Sequence, residues 1–319
     1  MILLWFRIVQ FLFLSAISVA LCACAGARPN IAIPHYPPKP LELSHRPRVA
    51  IVLGAGGARG FAHAGAIKVL QDAGVPIDLI VGSSVGSFYG ALLADSGNAD
   101  LAAKIMLSAR FWDIADIANV PNLLGPVQGY RYEKFLLRNM HALWFDQLHI
   151  PLVIVTTNLK TGHVYVISSG PVAPAAKASS TIPGIVRPSV LYGHILIDGG
   201  ISDPIPVNIA EKYHPRVIIA VNISSQLPHK MPWSGLGVYS RASDIAWLSF
   251  SKICEQGADI VIRPQVGDIG TFDVEKKKAL FREGEKAARQ MLPEIKRLLL
   301  KKHIKLLPPH DHPDKLGAH

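Results

Sequence analysis

Ile77-Asp78-Leu79-Ile80-Val81-Gly82-Ser83-Ser84-Val85-Gly86-Ser87-Phe88-Tyr89-Gly90-Ala91-Leu92-Leu93 is the stretch on which the fold turns. Ile77 to Val81 reads as a strand buried on both faces, and the residues from Phe88 to Leu93 recur with helical spacing. Between them Gly82-Ser83-Ser84-Val85-Gly86 has the form G-x-S-x-G. A strand that turns at once into a helix wants small residues at the two outer positions, Gly82 and Gly86. Such a turn lifts the hydroxyl of the central Ser84 clear of the sheet, where it can act as a nucleophile. An ordinary Ser-Gly turn is the other reading of these five residues.

Working outward, Val49-Ala50-Ile51-Val52-Leu53 is a second apolar run. It passes into the Gly-rich segment Gly54 to Gly60 and then into a helical pattern of Ala62, Ala66, Val69 and Leu70 that ends at Gly74. Successive glycines let backbone N–H groups converge at a helix N-terminus, a preformed site for negative charge. A dinucleotide fingerprint, G-x-G-x-x-G, fails because its sixth position counted from Gly54 is Arg59. An acyl oxyanion and a phosphate both fit the loop. A third signal, Asp198-Gly199-Gly200, closes the run Ile195-Leu196-Ile197. There a strand end delivers a carboxylate, and two glycines allow close approach; a loop-capping aspartate is the alternative.

The rest of the chain alternates in the same way. Leu152 to Thr156 and Val164 to Ile167 read as strands joined across Lys160-Thr161-Gly162, and Val190 to Ile197, Arg216 to Ile223 and Asp259 to Ile262 add three more. Helical patterns fall around Arg131 to Leu143, Pro206 to Tyr213, Ala242 to Lys252 and Lys276 to Leu300. This predicts an α/β sheet flanked by helices. The chain has 319 residues, half of them hydrophobic, and three cysteines. That composition excludes a disordered chain, a collagen-like repeat and a disulfide scaffold. Cys254 reads as a buried structural thiol. No compact metal-ligand spacing is present, and none is expected for His310-Asp311-His312 in a Pro-rich tail.

Taken together, these segments resemble the patatin-like phospholipase family. The Gly-rich loop with Arg59 and Phe61-Ala62-His63-Ala64-Gly65 looks like that family's oxyanion block. Gly82 to Gly86 matches its serine elbow, and Asp198-Gly199-Gly200 its DGG motif. Ala178-Ser179-Ser180-Thr181-Ile182-Pro183-Gly184 with Arg187-Pro188 resembles the segment before the DGG strand. The match spans about Arg48 to Pro206, with Ala55 and Asp203 as departures. The resemblance implies a three-layer α/β/α sandwich with a mostly parallel sheet and an amphipathic C-terminal helix. It implies a dyad without histidine, with Ser84 as nucleophile, Asp198 as base, and Gly56, Gly57, Ala58 and Arg59 forming the oxyanion hole. A phospholipid or other acyl ester is then the substrate, with neither cofactor nor metal. Phe88, Tyr89, Phe111 and Trp112, near the elbow, are candidates to line an acyl channel. A Ser-His-Asp triad in a general carboxylesterase is the rival, since His214, His229 and His303 follow Asp198. A membrane-surface binding protein without turnover is a further alternative.

Ile8 to Ala27 is an apolar run that exports or anchors the chain. It ends Leu21-Cys22-Ala23-Cys24, which resembles the lipobox of bacterial lipoproteins with Cys24 as the acylated residue. Cleavage after Ala25 and retention as a membrane helix are the alternatives, and all three place the domain outside the cytoplasm. A lipoprotein at the outer membrane or in the periplasm is expected. The resulting partition is a signal peptide at 1–23, a Pro-rich tether at 24–47, a catalytic domain at 48–270, a basic helix at 271–306 and a flexible tail at 307–319. The formal net charge is +10, with the basic excess gathered on the C-terminal helix. That face is either solvated or drawn to anionic head groups. Export argues against a nucleic-acid partner.

Overall fold

A computed structural model describes residues 37–117, 124–224, 227, 231–267, 269 and 273–308. The chain divides into units Met1–Ala32 and Ile33–His319, and every described residue belongs to the second. The signal peptide, Cys24, His229 and the tail from 309 onward lie outside the described residues.

The elements run β1 (Val49–Leu53), α1 (Phe61–Asp72), β2 (Leu79–Ser83), α2 (Val85–Ser96), α3 (Ala99–Ser108), α4 (Phe111–Ile114), α5 (Tyr130–Asn139), β3 (Leu152–Asn158), β4 (Val164–Ile167), α6 (Val172–Ser179), β5 (Ser189–Leu191), β6 (His194–Ile197), α7 (Val207–Glu211), β7 (Val217–Val221), α8 (Gly235–Cys254), β8 (Ile260–Ile262) and α9 (Lys277–Lys301). Among the described residues eight strands form one sheet in the order β5-β6-β3-β2-β1-β7-β8, with β4 also on β3. The pairs β1–β2, β1–β7, β2–β3 and β7–β8 are parallel. Those of β3 with β4 and β6, and of β5 with β6, are antiparallel.

Apolar side chains alternate across the central strand. Val49, Ile51 and Leu53 join a large core with α1, α2, α3, α6 and α9. Ala50 and Val52 face a smaller one closed by α7. Burial on both faces is why β1 is an unbroken apolar run, and each fully buried Val, Ile or Leu contributes about 1.5–3 kcal/mol. The fold is the expected α/β architecture, thick with helices on one face and thin on the other.

Several boundaries differ from the sequence reading for local reasons. β2 begins at Leu79 because Asp78 is engaged with Arg48, accepting its backbone N–H at 2.6 Å and its guanidinium at 2.7 Å. The run Val190 to Ile197 is a hairpin: Tyr192 and Gly193 both take positive φ, 52° and 77°, and pair Leu191 with His194 across a two-residue turn. Asn139 ends α5, and Asp95 collects the N–H groups of His141 and Ala142 beyond it. Helix α8 starts seven residues earlier than its periodicity indicates, at Gly235, where the Ser234 hydroxyl accepts from Gly237 N–H. Helices α3, α4 and α6 carry no pattern strong enough to be read in advance.

Helix α9 presents Leu280, Ala287, Ala288, Ile295 and Leu299 to the core and lies on α1. The two backbones touch through glycine. A Cβ at Gly65 would overlap the Phe281 carbonyl, and one at Gly284 would overlap that of Ala62.

Candidate active site

Ser84 sits between the end of β2 and the start of α2 with φ 55° and ψ −124°, a conformation costly for a residue with a Cβ. Its surroundings hold it there. The Ser84 N–H donates to Ser179 Oγ at 2.8 Å, and the Ser179 hydroxyl donates in turn to the Val155 carbonyl at 2.6 Å. Ser87 Oγ lies 2.7 Å from Ser179 Oγ and 2.9 Å from the Gly82 carbonyl. A Cβ at Gly86 would strike the Leu53 carbonyl, and one at Gly82 the Gly86 carbonyl, so both outer glycines are sterically required.

Asp198 reaches this serine through strand geometry. β2 pairs with β3 as far as Ser83–Val155, on the edge opposite β4. β6 descends antiparallel on that same edge, its last pair being Ile197–Thr157. Two strands therefore end head to head opposite Thr156, and the next residue of each chain meets the other. The Ser84 hydroxyl donates to Asp198 Oδ2 at 2.7 Å, while Gly200 N–H donates to Oδ1 at 2.8 Å. The Thr157 hydroxyl donates to the Asp198 carbonyl at 2.7 Å. A Cβ at Gly199 would overlap the Val155 carbonyl, and one at Gly200 would press on the Ala55 methyl, which is how Ala55 fits in the glycine run. Burial pushes the Asp198 carboxyl up to about 6, against the opposing effect of the Ser84 and Gly200 hydrogen bonds.

The Gly-rich loop closes over the pair. Gly57 to Gly60 form a single 3-10 turn entering α1. Arg59 is buried: its Nε–H donates to the Gly56 carbonyl at 2.9 Å, and its guanidinium lies 5.7 Å from the Trp247 ring centroid. Burial pushes that guanidinium below its ordinary value, with Asp244 opposing the shift. The Arg59 backbone N–H is spent on the same Gly56 carbonyl, at 3.3 Å. Behind the loop, buried His63 donates from Nε2 to the Gly54 carbonyl at 2.8 Å, and burial lowers its pKa to about 4. The ring is neutral at pH 7, an internal brace for the loop.

A cavity of about 200 Å³ opens beside Ser84, and Gly57 and Ala58 border it, whereas Gly56 and Arg59 do not. Its walls are apolar, built from Phe61, Val85, Phe88, Met106, Phe111 and Ile182 among others. Of the aromatic residues expected there, Phe88 and Phe111 line it. Tyr89, one residue on from Phe88, points into the core, and Trp112 is exposed. Neighbouring helix positions are about 100° apart, so only one of each pair can face the space.

Of the histidines of the rival triad, His214 and His303 fall elsewhere, and His229 lies outside the described residues. His214 lies three residues before β7 begins, and the Lys302 carbonyl next to His303 receives Arg216 at that same end of the strand. Ser84 follows the opposite, C-terminal end of the parallel strand β2, about 16 Å away along five residues. Sequence reading assigned no role to Ser179, Ser87 or Trp247. Ser179 was visible only as part of a motif, because its function depends on a turn 95 residues away.

With this geometry in view, comparison with known proteins is direct. The family model "Patatin-like phospholipase" matches residues 51–211. "Patatin-like phospholipase domain-containing protein 6" of Mus musculus is 32% identical over 230 residues, covering 69% of this chain and 16% of that protein. "Lysophospholipase NTE1" of Mycosarcoma maydis is 27% identical over 277 residues, covering 76% and 15%. The chain thus spans about a sixth of the length of these relatives. The crystal structure of VipD from Legionella pneumophila shares the fold, with a TM-score of 0.53 at 13% identity, covering 86% of this chain and 73% of that one. The chain belongs to the patatin-like phospholipase family.

Proposed function

We propose that this chain is a lipid acyl hydrolase that cleaves acyl esters of phospholipids or lysophospholipids through a serine acyl-enzyme. The observation that carries the reading is the 2.7 Å hydrogen bond to a buried carboxylate from Ser84, which stands at the wall of an apolar cavity. Asp198 accepts the Ser84 proton as Oγ attacks the ester carbonyl carbon. The oxyanion so formed is met by N–H groups of the Gly57–Ala58 turn; losing one such donor commonly costs about a hundredfold or more in rate. Collapse of the tetrahedral species breaks the bond to the alcohol, which leaves with the proton from Asp198. Water, deprotonated by the same carboxylate, then attacks the acyl-enzyme; the bond to Ser84 Oγ breaks, Oγ takes back the proton from Asp198, and the fatty acid is released. The cavity walls suit an acyl chain, and they offer a polar head group little.

The relatives named as phospholipase and lysophospholipase support this substrate class. We further infer that Cys24 is acylated and holds the domain on a membrane outside the cytoplasm, as its lipobox-like setting indicates. The test is product analysis. Purified protein incubated with phosphatidylcholine and lysophosphatidylcholine should release free fatty acid, seen by mass spectrometry, and Ser84→Ala should release none. Release by Ser84→Ala at the wild-type rate would refute the reading.

A further inference from the structure

Helix α8 shows its apolar side to solvent. Its three charged residues, Arg241, Asp244 and Lys252, share a half of the helix with Trp247, Leu248 and Ser251, which meet the domain together with Phe250 and Cys254 at the edge of that half. At 100° per residue, the opposite half carries Val238, Tyr239, Ala242, Ile245 and Ile253 with Ser243 and Ser249 and no charge, and Leu236 lies at its border in the first turn. Leu236 is 80% and Tyr239 72% exposed, and Trp233, just before the helix, is 91% exposed. A soluble surface helix has the reverse arrangement.

The size and chemistry of this face identify its occupant. A 20-residue helix is about 30 Å long, and one face about 10 Å wide offers roughly 300 Å². A stable protein interface buries about 800 Å² per partner, so a second copy is poorly served by this face alone. Trp233 and Tyr239 pair an apolar ring with a polar tip, as suits the head-group level of a bilayer. Among the described residues no helix is long and apolar enough to cross a membrane, so α8 would lie in the plane of the interface. Its inner side is joined to the site, since Trp247 Nε1–H donates to the Gly200 carbonyl at 3.3 Å and its ring lies against Arg59. We propose that the exposed face of α8 inserts into the surface of a lipid bilayer and seats the Ser84 cavity on its substrate. The purpose of this docking rests on the acyl-hydrolase reading, whereas its test does not.

The N-terminal apolar run can hold the full chain on vesicles by itself, so the readout is local. Hydrogen–deuterium exchange of the full-length protein is followed with and without phosphatidylcholine–phosphatidylglycerol vesicles. Peptides spanning 235–250 should exchange about tenfold more slowly with vesicles, and the double variant Leu236→Asp/Tyr239→Asp should lose that protection. The same variant should lose at least about tenfold in hydrolysis of vesicle phospholipid while keeping turnover of a monomeric short-chain ester within about twofold. Unchanged exchange with vesicles overturns the proposal. So does protection that appears without vesicles together with a doubled mass in light scattering, which would assign the face to a second copy. Protection in a wild-type protein that cleaves no ester would uphold the docking and remove the hydrolase reading.

Discussion

Ser84 Oγ and Asp198 Oδ2 stand 2.7 Å apart because β2 and β6 end against each other on one edge of β3. Residues 114 positions apart in the chain are placed by sheet register, with no flexible loop intervening. A rigid element holds a reacting pair more closely than a loop does, and the contact needs no ligand to form.

The first consequence concerns pH. Burial raises the Asp198 carboxyl to about 6, and only its ionised form can take the Ser84 proton. Ester hydrolysis should therefore rise about tenfold per pH unit below 6 and level off above it. Initial rates across pH 4 to 8 on a neutral short-chain ester check this; a plateau reaching down to pH 4.5 would show that burial does not hold the catalytic carboxyl near 6.

Ser179 is expected to position the elbow. Ser179→Ala removes the acceptor for the Ser84 N–H and leaves that strained turn unpinned. We expect kcat to fall about ten- to a hundredfold with little change in KM, and stability to drop by about 1–3 kcal/mol. Ser179→Thr, which keeps the hydroxyl, should recover part of the rate. Equal kcat in the Ala and wild-type proteins would remove Ser179 from this role.

The crossing of α1 and α9 should be intolerant of side chains. Gly284→Val would drive a branched carbon into the Ala62 carbonyl, backbone that cannot turn away. A loss of about 1–3 kcal/mol is expected, read from the denaturation midpoint. Lys286→Ala, on the exposed side of the same helix, should change it little.

How much of this was legible depended on whether the cause was local. The strands at Val49 to Leu53 and Val217 to Val221 follow from apolar runs alone, and the elbow from glycines at fixed offsets. The hairpin at Tyr192-Gly193 was hidden because Val190 to Ile197 keeps strand composition through the turn. Asp198 could be singled out by its DGG context, but its meeting with Ser84 depends on β3 pairing with β2 and β6 on one edge. That pairing leaves no mark in any one segment. Arg59 shows the same division: the sequence placed it in the loop, while its stacking on Trp247 comes from a helix almost two hundred residues later.

Anchoring is tested at Cys24. Cys24→Ser should leave an uncleaved precursor or release a soluble form that keeps its intrinsic esterase activity. Mass spectrometry of the membrane fraction should find an acylated N-terminus at Cys24 in the wild type; an unacylated N-terminus at Gly26, or an intact Met1, would contradict it.

The central claim, that Ser84 is the nucleophile and Asp198 its only base, is tested most directly by the intact mass of protein treated with a fluorophosphonate probe. Wild type should gain the mass of one probe less the HF expelled, mapped by peptide analysis to Ser84, and Ser84→Ala should gain none. Asp198→Asn should label more slowly by at least about a thousandfold, because nucleophile and base act as one unit. Wild-type labelling in Asp198→Asn, or an adduct on any residue other than Ser84, would contradict the account.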